Sequence, residues 1–130
     1  MGSIDWIAVL VATVSAFVLG GLWYSPLLFA KAWMAGAKLT EAEVSGNMGA
    51  VFGQAIVAAL VTAMAFGWFV GNGMSVRDGV TVGAITGLGL VTASLALNYA
   101  FERRPLSLLL INGGYYIVQF VLYGLIFALI

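Results

Sequence analysis

No cysteine occurs in the 130 residues, which excludes disulfides, thiolate metal sites and cysteine nucleophiles. Histidine is missing too, and with it the usual general base and the commonest metal ligand. No metal and no cofactor are therefore expected. Charge is scarce: Asp, Glu, Lys and Arg make up 8% of the chain, against about a quarter in a soluble domain. The five basic and five acidic residues balance, so no nucleic-acid partner is expected. Proline occurs twice, as Pro26 and Pro105. The opening residues lack the basic stretch of a signal peptide. Trp6 stands where a myristoylation motif needs Ser or Thr.

What the chain does have is apolar length. Hydrophobic residues make up 63%, too many to sit behind a water-facing surface, so the solvent must be largely lipid. A helix needs about 20 apolar residues to cross ~30 Å of hydrocarbon. Four runs qualify, at about 5–25, 48–71, 76–101 and 105–130. They are continuous rather than alternating, which argues against barrel strands. The expected fold is all-α: one integral membrane domain over 1–130, built as a four-helix transmembrane bundle.

The ends of these runs carry capping signals. Ser3 or Asp5 suits the first helix, Asn47 the second, and Ser75 with Asp78 the third. Pro105 suits the first position of the fourth. Loops 72–75 and 102–104 are tight, so the helices they join are antiparallel neighbours. The loop over 26–47 is long. Its Leu27–Met34 stretch reads as interfacial, and Thr40 with Glu43 has capping-box spacing for one short turn. Lys31, Lys38, Arg103 and Arg104 fall on one side and Arg77 alone on the other. The positive-inside rule then places loops 26–47 and 102–104 in the cytoplasm and both termini outside, in the cell (inner) membrane.

Between helices in lipid, close backbone approach matters more than hydrophobicity. Small residues recur at four-residue spacing: Ala8, Ala12, Ala16 and Gly20; Ala55, Ala59, Ala63, Gly67 and Gly71; Gly79, Gly83 and Gly87. These ridges serve packing within one bundle. Alternatively, the Gly79–Gly83–Gly87 face mediates a homo-oligomer.

No charged side chain falls mid-span, which disfavours an ion-coupled carrier such as the small multidrug carriers with their intramembrane Glu. The polar residues form a layer instead. Tyr24, Gln54, Asn98, Tyr99 and Asn112 fall within roughly 11 Å of the cytoplasmic helix ends, with Tyr115 and Tyr116 slightly deeper. Gln119 lies deeper still, level with Thr62 and Thr86 and near Thr13, one of which it is expected to bond. The layer reads either as interhelical glue or as a cytoplasm-facing pocket with aromatic walls. Arg103 and Arg104 at its mouth would favour an anionic headgroup. Pro26 frees a carbonyl near Leu22, either as a helix stop or as a hinge. Gly113 and Gly114 allow tight packing or a bend.

Gly20-Gly21-Leu22-Trp23-Tyr24-Ser25-Pro26-Leu27-Leu28-Phe29, then Asn98-Tyr99, Phe101-Glu102-Arg103-Arg104-Pro105-Leu106 and Ile111-Asn112-Gly113-Gly114-Tyr115, together resemble the bacterial membrane-protein family catalogued as domain of unknown function 1761. The resemblance covers essentially the whole chain and implies a small four-span membrane protein, without supplying a reaction. Relatives often carry His after the tyrosine that matches Tyr115, where this chain has Tyr116, so no activity needing an imidazole is carried over.

The expectation is a non-enzymatic, self-associating bundle that binds or passes a small uncharged solute or a lipid. Tyr24, Gln54, Asn98, Tyr99, Asn112 and Tyr116 are the candidate binding residues. The alternative is an accessory or scaffold subunit of a larger membrane complex. An enzyme using Glu102 and Arg103 on a lipid headgroup ranks third, since no nucleophile–base pair is visible.

Overall fold

The computed structural model describes residues 4–130. Four helical spans are long and apolar enough to cross a bilayer: Trp6–Trp23, Met48–Val70, Val76–Glu102 and Leu106–Leu129. Each boundary falls within two residues of the expected one. In chain order the helices are α1 (Trp6–Trp23), α2 (Ala30–Ala37), α3 (Glu41–Ser45), α4 (Met48–Val70), α5 (Val76–Ile85), α6 (Ala93–Glu102) and α7 (Leu106–Leu129), with a π-helical segment, Thr86–Thr92, joining α5 to α6. Among the described residues there is no strand.

The helix starts reflect local chemistry. The Asp5 carboxylate accepts from the amides of Ile7 and Ala8 at 3.1 Å each, while Ser3, the alternative cap, lies outside the described residues. Ser75 caps α5 through the Asp78 amide. Thr40 and Glu43 form a full capping box at α3. Asn47 does not cap α4. Its backbone is left-handed (φ 58°) and its side chain makes no capping bond. The turn out of α3 demands that conformation, and asparagine tolerates it. Pro105 sits one residue before α7 rather than in its first turn. The carbonyl freed by Pro26 is taken up locally, since the Ser25 hydroxyl donates to Leu22 O at 2.6 Å.

The side-chain pattern of α1 inverts that of a soluble helix. Ala8, Ala12 and Ala16 are buried, while Ile7, Leu10, Val14 and Val18 are exposed. Large apolar groups lose nothing by facing lipid, whereas small ones let backbones approach. α7 is the most buried span and forms the centre. α5 lies closest to it. A Cβ at Gly79 would stand 2.3 Å from Gly124 O, one at Gly83 2.1 Å from Phe120 O, and one at Gly87 2.7 Å from Ile117 Cα. The glycine ridge is therefore filled by α7 of the same chain. Of the two expected uses of Gly79, Gly83 and Gly87, packing within the bundle is the one observed, and the face is not left open for a second copy.

The third span is not the uninterrupted α-helix expected. The Ala93 amide bonds to Leu88 O, an i→i−5 step. The extra residue in this turn re-aims the remainder of the span. It carries Thr92 onto the α7 face, where its hydroxyl donates to Gly113 O at 3.0 Å.

At the end opposite the long loop, α4 meets α7 through rings. Phe66 lies 5.7 Å from Phe120, 6.0 Å from Tyr123 and 5.9 Å from Phe127. Gly67 allows this, because a Cβ there would lie 2.6 Å from the Phe127 ring. Tyr123 is fully buried and its hydroxyl has no partner among the described residues. Deleting the hydroxyl removes an uncompensated desolvation cost. Tyr123→Phe is accordingly expected to raise stability by about 1 kcal/mol, read as a higher unfolding temperature in detergent. A lower temperature would mean that the hydroxyl is satisfied in the membrane.

Candidate functional site: a cleft at the basic end of the bundle

The long loop lies at the same end as Arg103 and Arg104, and here α1 is tied to α7 by three aromatic side chains. Trp23 Nε1 donates to Ile111 O at 2.9 Å. The Tyr115 hydroxyl donates to Ala16 O at 2.9 Å. The Tyr24 hydroxyl donates to Asn112 Oδ1 at 2.7 Å. Asn112 Nδ2 in turn donates to the Tyr99 hydroxyl at 2.8 Å, which brings α6 into the network. The Arg104 guanidinium stands 5.6 Å over the Tyr99 ring and pairs with Glu102. Arg103 closes α6 with its backbone in a left-handed conformation (φ 57°), and its side chain is exposed.

Glycines make room for these rings. A Cβ at Gly114 would lie 3.0 Å from the Trp23 ring, and one at Gly113 2.6 Å from Thr92 Cγ2. The Gly113–Gly114 pair therefore serves close packing on two sides of α7, and α7 continues through it without interruption. A Cβ at Gly20 would meet the Tyr115 hydroxyl at 3.6 Å, an ordinary contact, so Tyr115 does not require glycine there.

Beside this network α4 makes few contacts with α7, and residues of α2, α3 and the turn between them border the gap. The result is a cleft of about 790 Å³ between α1, α4 and α7. Phe17, Gly20, Gly21 and Tyr24 line it from α1 and the turn after it. Met48, Val51, Phe52, Ala55 and Ala59 line it from α4, and Tyr115 and Tyr116 from α7. Trp33, Leu39, Glu43 and Val44 line it from the long loop. Trp33 packs edge-on against Tyr24 (centroids 5.1 Å apart), and Tyr24 stacks obliquely on Tyr115 (5.6 Å). Tyr115 meets Tyr116 edge-on (5.3 Å). The walls are thus apolar and aromatic, with polar groups at one end. The Tyr116 hydroxyl makes no hydrogen bond among the described residues, so it is a donor and acceptor available to a ligand.

Of the six candidate residues, the structure joins Tyr24, Tyr99 and Asn112 by hydrogen bonds and places Tyr24 and Tyr116 on the cleft. Gln54 and Asn98 are exposed on the outer faces of α4 and α6 and do not line it. Gln119 is buried, yet no hydrogen bond joins it to Thr13, Thr62 or Thr86 among the described residues. Thr13 and Thr62 donate instead to carbonyls one turn back in their own helices. Among the cleft residues not expected from the sequence are Phe17, Trp33, Glu43 and Phe52. The aromatic loop and the capping box announced ordered elements there, but nothing in the pattern said that they fold over α1.

A family model described as "Protein of unknown function (DUF1761)" matches residues 7–128. The chain belongs to this family. The match takes in the Trp23–Tyr24, Asn98–Tyr99 and Asn112–Tyr116 segments, so the hydrogen-bonded network and both sides of the cleft lie within the DUF1761 region. No curated protein and no solved structure matches the chain. Membership brings no reaction with it, and within this DUF1761 chain three or more potential metal ligands cluster nowhere among the described residues.

Proposed function

We propose that this protein binds a lipid-like amphiphile in the cleft between α1, α4 and α7, at the cytoplasmic side of the membrane, and performs no covalent chemistry on it. The observation that carries this reading is the cleft itself. Its volume of about 790 Å³ lies within the range of roughly 300–1,000 Å³ usual for small-molecule sites. Its depth is lined by Ala55, Ala59, Phe17 and Phe52, which offer only dispersion contacts to a chain. Tyr24, Tyr116 and Glu43 supply the polar end for a head. The Tyr24–Asn112–Tyr99 network supports the site by holding one aromatic wall in a single position. The tyrosines and Glu43 include no nucleophile–base pair, which favours binding over catalysis.

Gly21 supplies the test. It lines the cleft, and a Cβ added there meets nothing within 4 Å. Gly21→Leu therefore fills the cleft without disturbing the bundle. Lipid retained through purification in an uncharged detergent, counted by native mass spectrometry, is expected to fall about tenfold in affinity, with the unfolding temperature unchanged or higher. Equal retention by parent and variant would contradict a ligand in this cleft.

A further inference from the structure

Glu43 makes the cleft chemically asymmetric. It is the one charged residue on the lining, which also carries the Trp33–Tyr24 ring pair. Its carboxylate accepts from the Thr40 amide at 3.2 Å and the Thr40 hydroxyl at 3.0 Å. Those bonds hold one carboxylate oxygen in place without supplying a counter-charge. Among the described residues the sole ion pair is Arg104–Glu102, so Glu43 faces the mouth with no cationic partner. Trp33, Tyr24, Tyr115 and Tyr116 form a continuous chain of ring contacts along the same lining. A carboxylate and a cluster of aromatic rings on one cleft lining are an arrangement that attracts a diffuse cation. Ring quadrupoles favour positive charge, and a quaternary ammonium gives up little hydration on entering.

We infer that the cleft selects amphiphiles whose head carries an alkylammonium cation, with Glu43 and the Trp33–Tyr24 pair as the headgroup site. This rests on the amphiphile-binding reading above and adds the charge of the head. An anionic head would meet Glu43 at close range, and an uncharged head would leave the carboxylate unmatched.

The test uses two probes of equal chain length, hexadecyltrimethylammonium and uncharged 1-hexadecylglycerol. Each is titrated into the full chain in dodecyl maltoside, with tryptophan fluorescence as the readout. The parent is expected to bind the cationic probe about tenfold more tightly. Glu43→Gln is expected to bring the two affinities together, chiefly by weakening the cationic probe. Glutamine still completes a capping box, so α3 keeps its start, and circular dichroism checks that it does. Glu41→Gln removes the same charge from the same helix away from the cleft lining, and is expected to keep the preference. If Glu43→Gln retains it, or if Glu41→Gln loses it equally, the cation site is overturned and only diffuse surface charge is at work. If both probes bind equally and Gly21→Leu weakens both, the headgroup inference fails while the cleft reading stands. If Gly21→Leu weakens neither, the cleft reading itself fails.

Discussion

Gly83→Ala is expected to abolish the folded bundle, although it adds a single methyl group. The new Cβ would stand 2.1 Å from Phe120 O and 2.7 Å from Phe120 C. These are backbone atoms of a helix and have no rotamer by which to move aside. α5 and α7 would have to separate along their whole contact, which also loses the packing at Gly79 and Gly87. Overpacking typically costs about 1–3 kcal/mol and occasionally more, and a clash with backbone that cannot change rotamer belongs at the upper end. The measurement is the monodisperse fraction on size exclusion in detergent, together with the unfolding temperature. Gly21→Ala is the matched control. It makes the same chemical change within α1, where a Cβ meets nothing within 4 Å, and it should raise stability by up to about 1 kcal/mol through helix propensity. Equal behaviour of the two variants would mean that α5 and α7 are not in contact as described.

Asn112→Ala carries the second large effect. Asn112 accepts from Tyr24 and donates to Tyr99, so truncation strands two tyrosine hydroxyls at half-buried positions. A loss of about 2 kcal/mol is expected, since unsatisfied partners cost more than the bonds themselves return. Asn98→Ala and Gln54→Ala are expected to stay within about 0.5 kcal/mol, because both side chains are exposed and neither makes a hydrogen bond among the described residues. The Trp33–Tyr24 wall should loosen in the Asn112 variant alone, so weaker amphiphile binding should accompany its lower unfolding temperature. Asn98→Ala with a cost equal to that of Asn112→Ala would show that α6 is rotated from its described position.

The contrast between Asn98 and Asn112 shows where reading the sequence runs out. Depth along a helix comes from counting residues, and both asparagines lie at the correct depth for the network. Azimuth around the helix depends on how the span turns, and the third span turns through a π segment. The interface positions Gly79, Gly83 and Gly87 advance by four residues, and the next one, Thr92, by five. Ideal α-helical spacing applied beyond Gly87 misplaces every later residue, Asn98 and Tyr99 included. Gln119 fails for a related reason. Its expected threonine partners lie at its depth, but a threonine hydroxyl in a helix reaches its own carbonyl one turn back first.

Sequence alone determined the four spans, their antiparallel order, the caps at Thr40 and Ser75, and the small-residue ridges, because each depends on residues near one another in the chain. The tertiary structure alone decided what the ridges touch and where a space remains. α7 occupies the glycine face of α5, and α4 leans on α7 at one end only, through Phe66 and Gly67. A cavity is what packing leaves unfilled, so it belongs to no local pattern, and Glu43 becomes part of a site only when the long loop folds across the gap between α1 and α4.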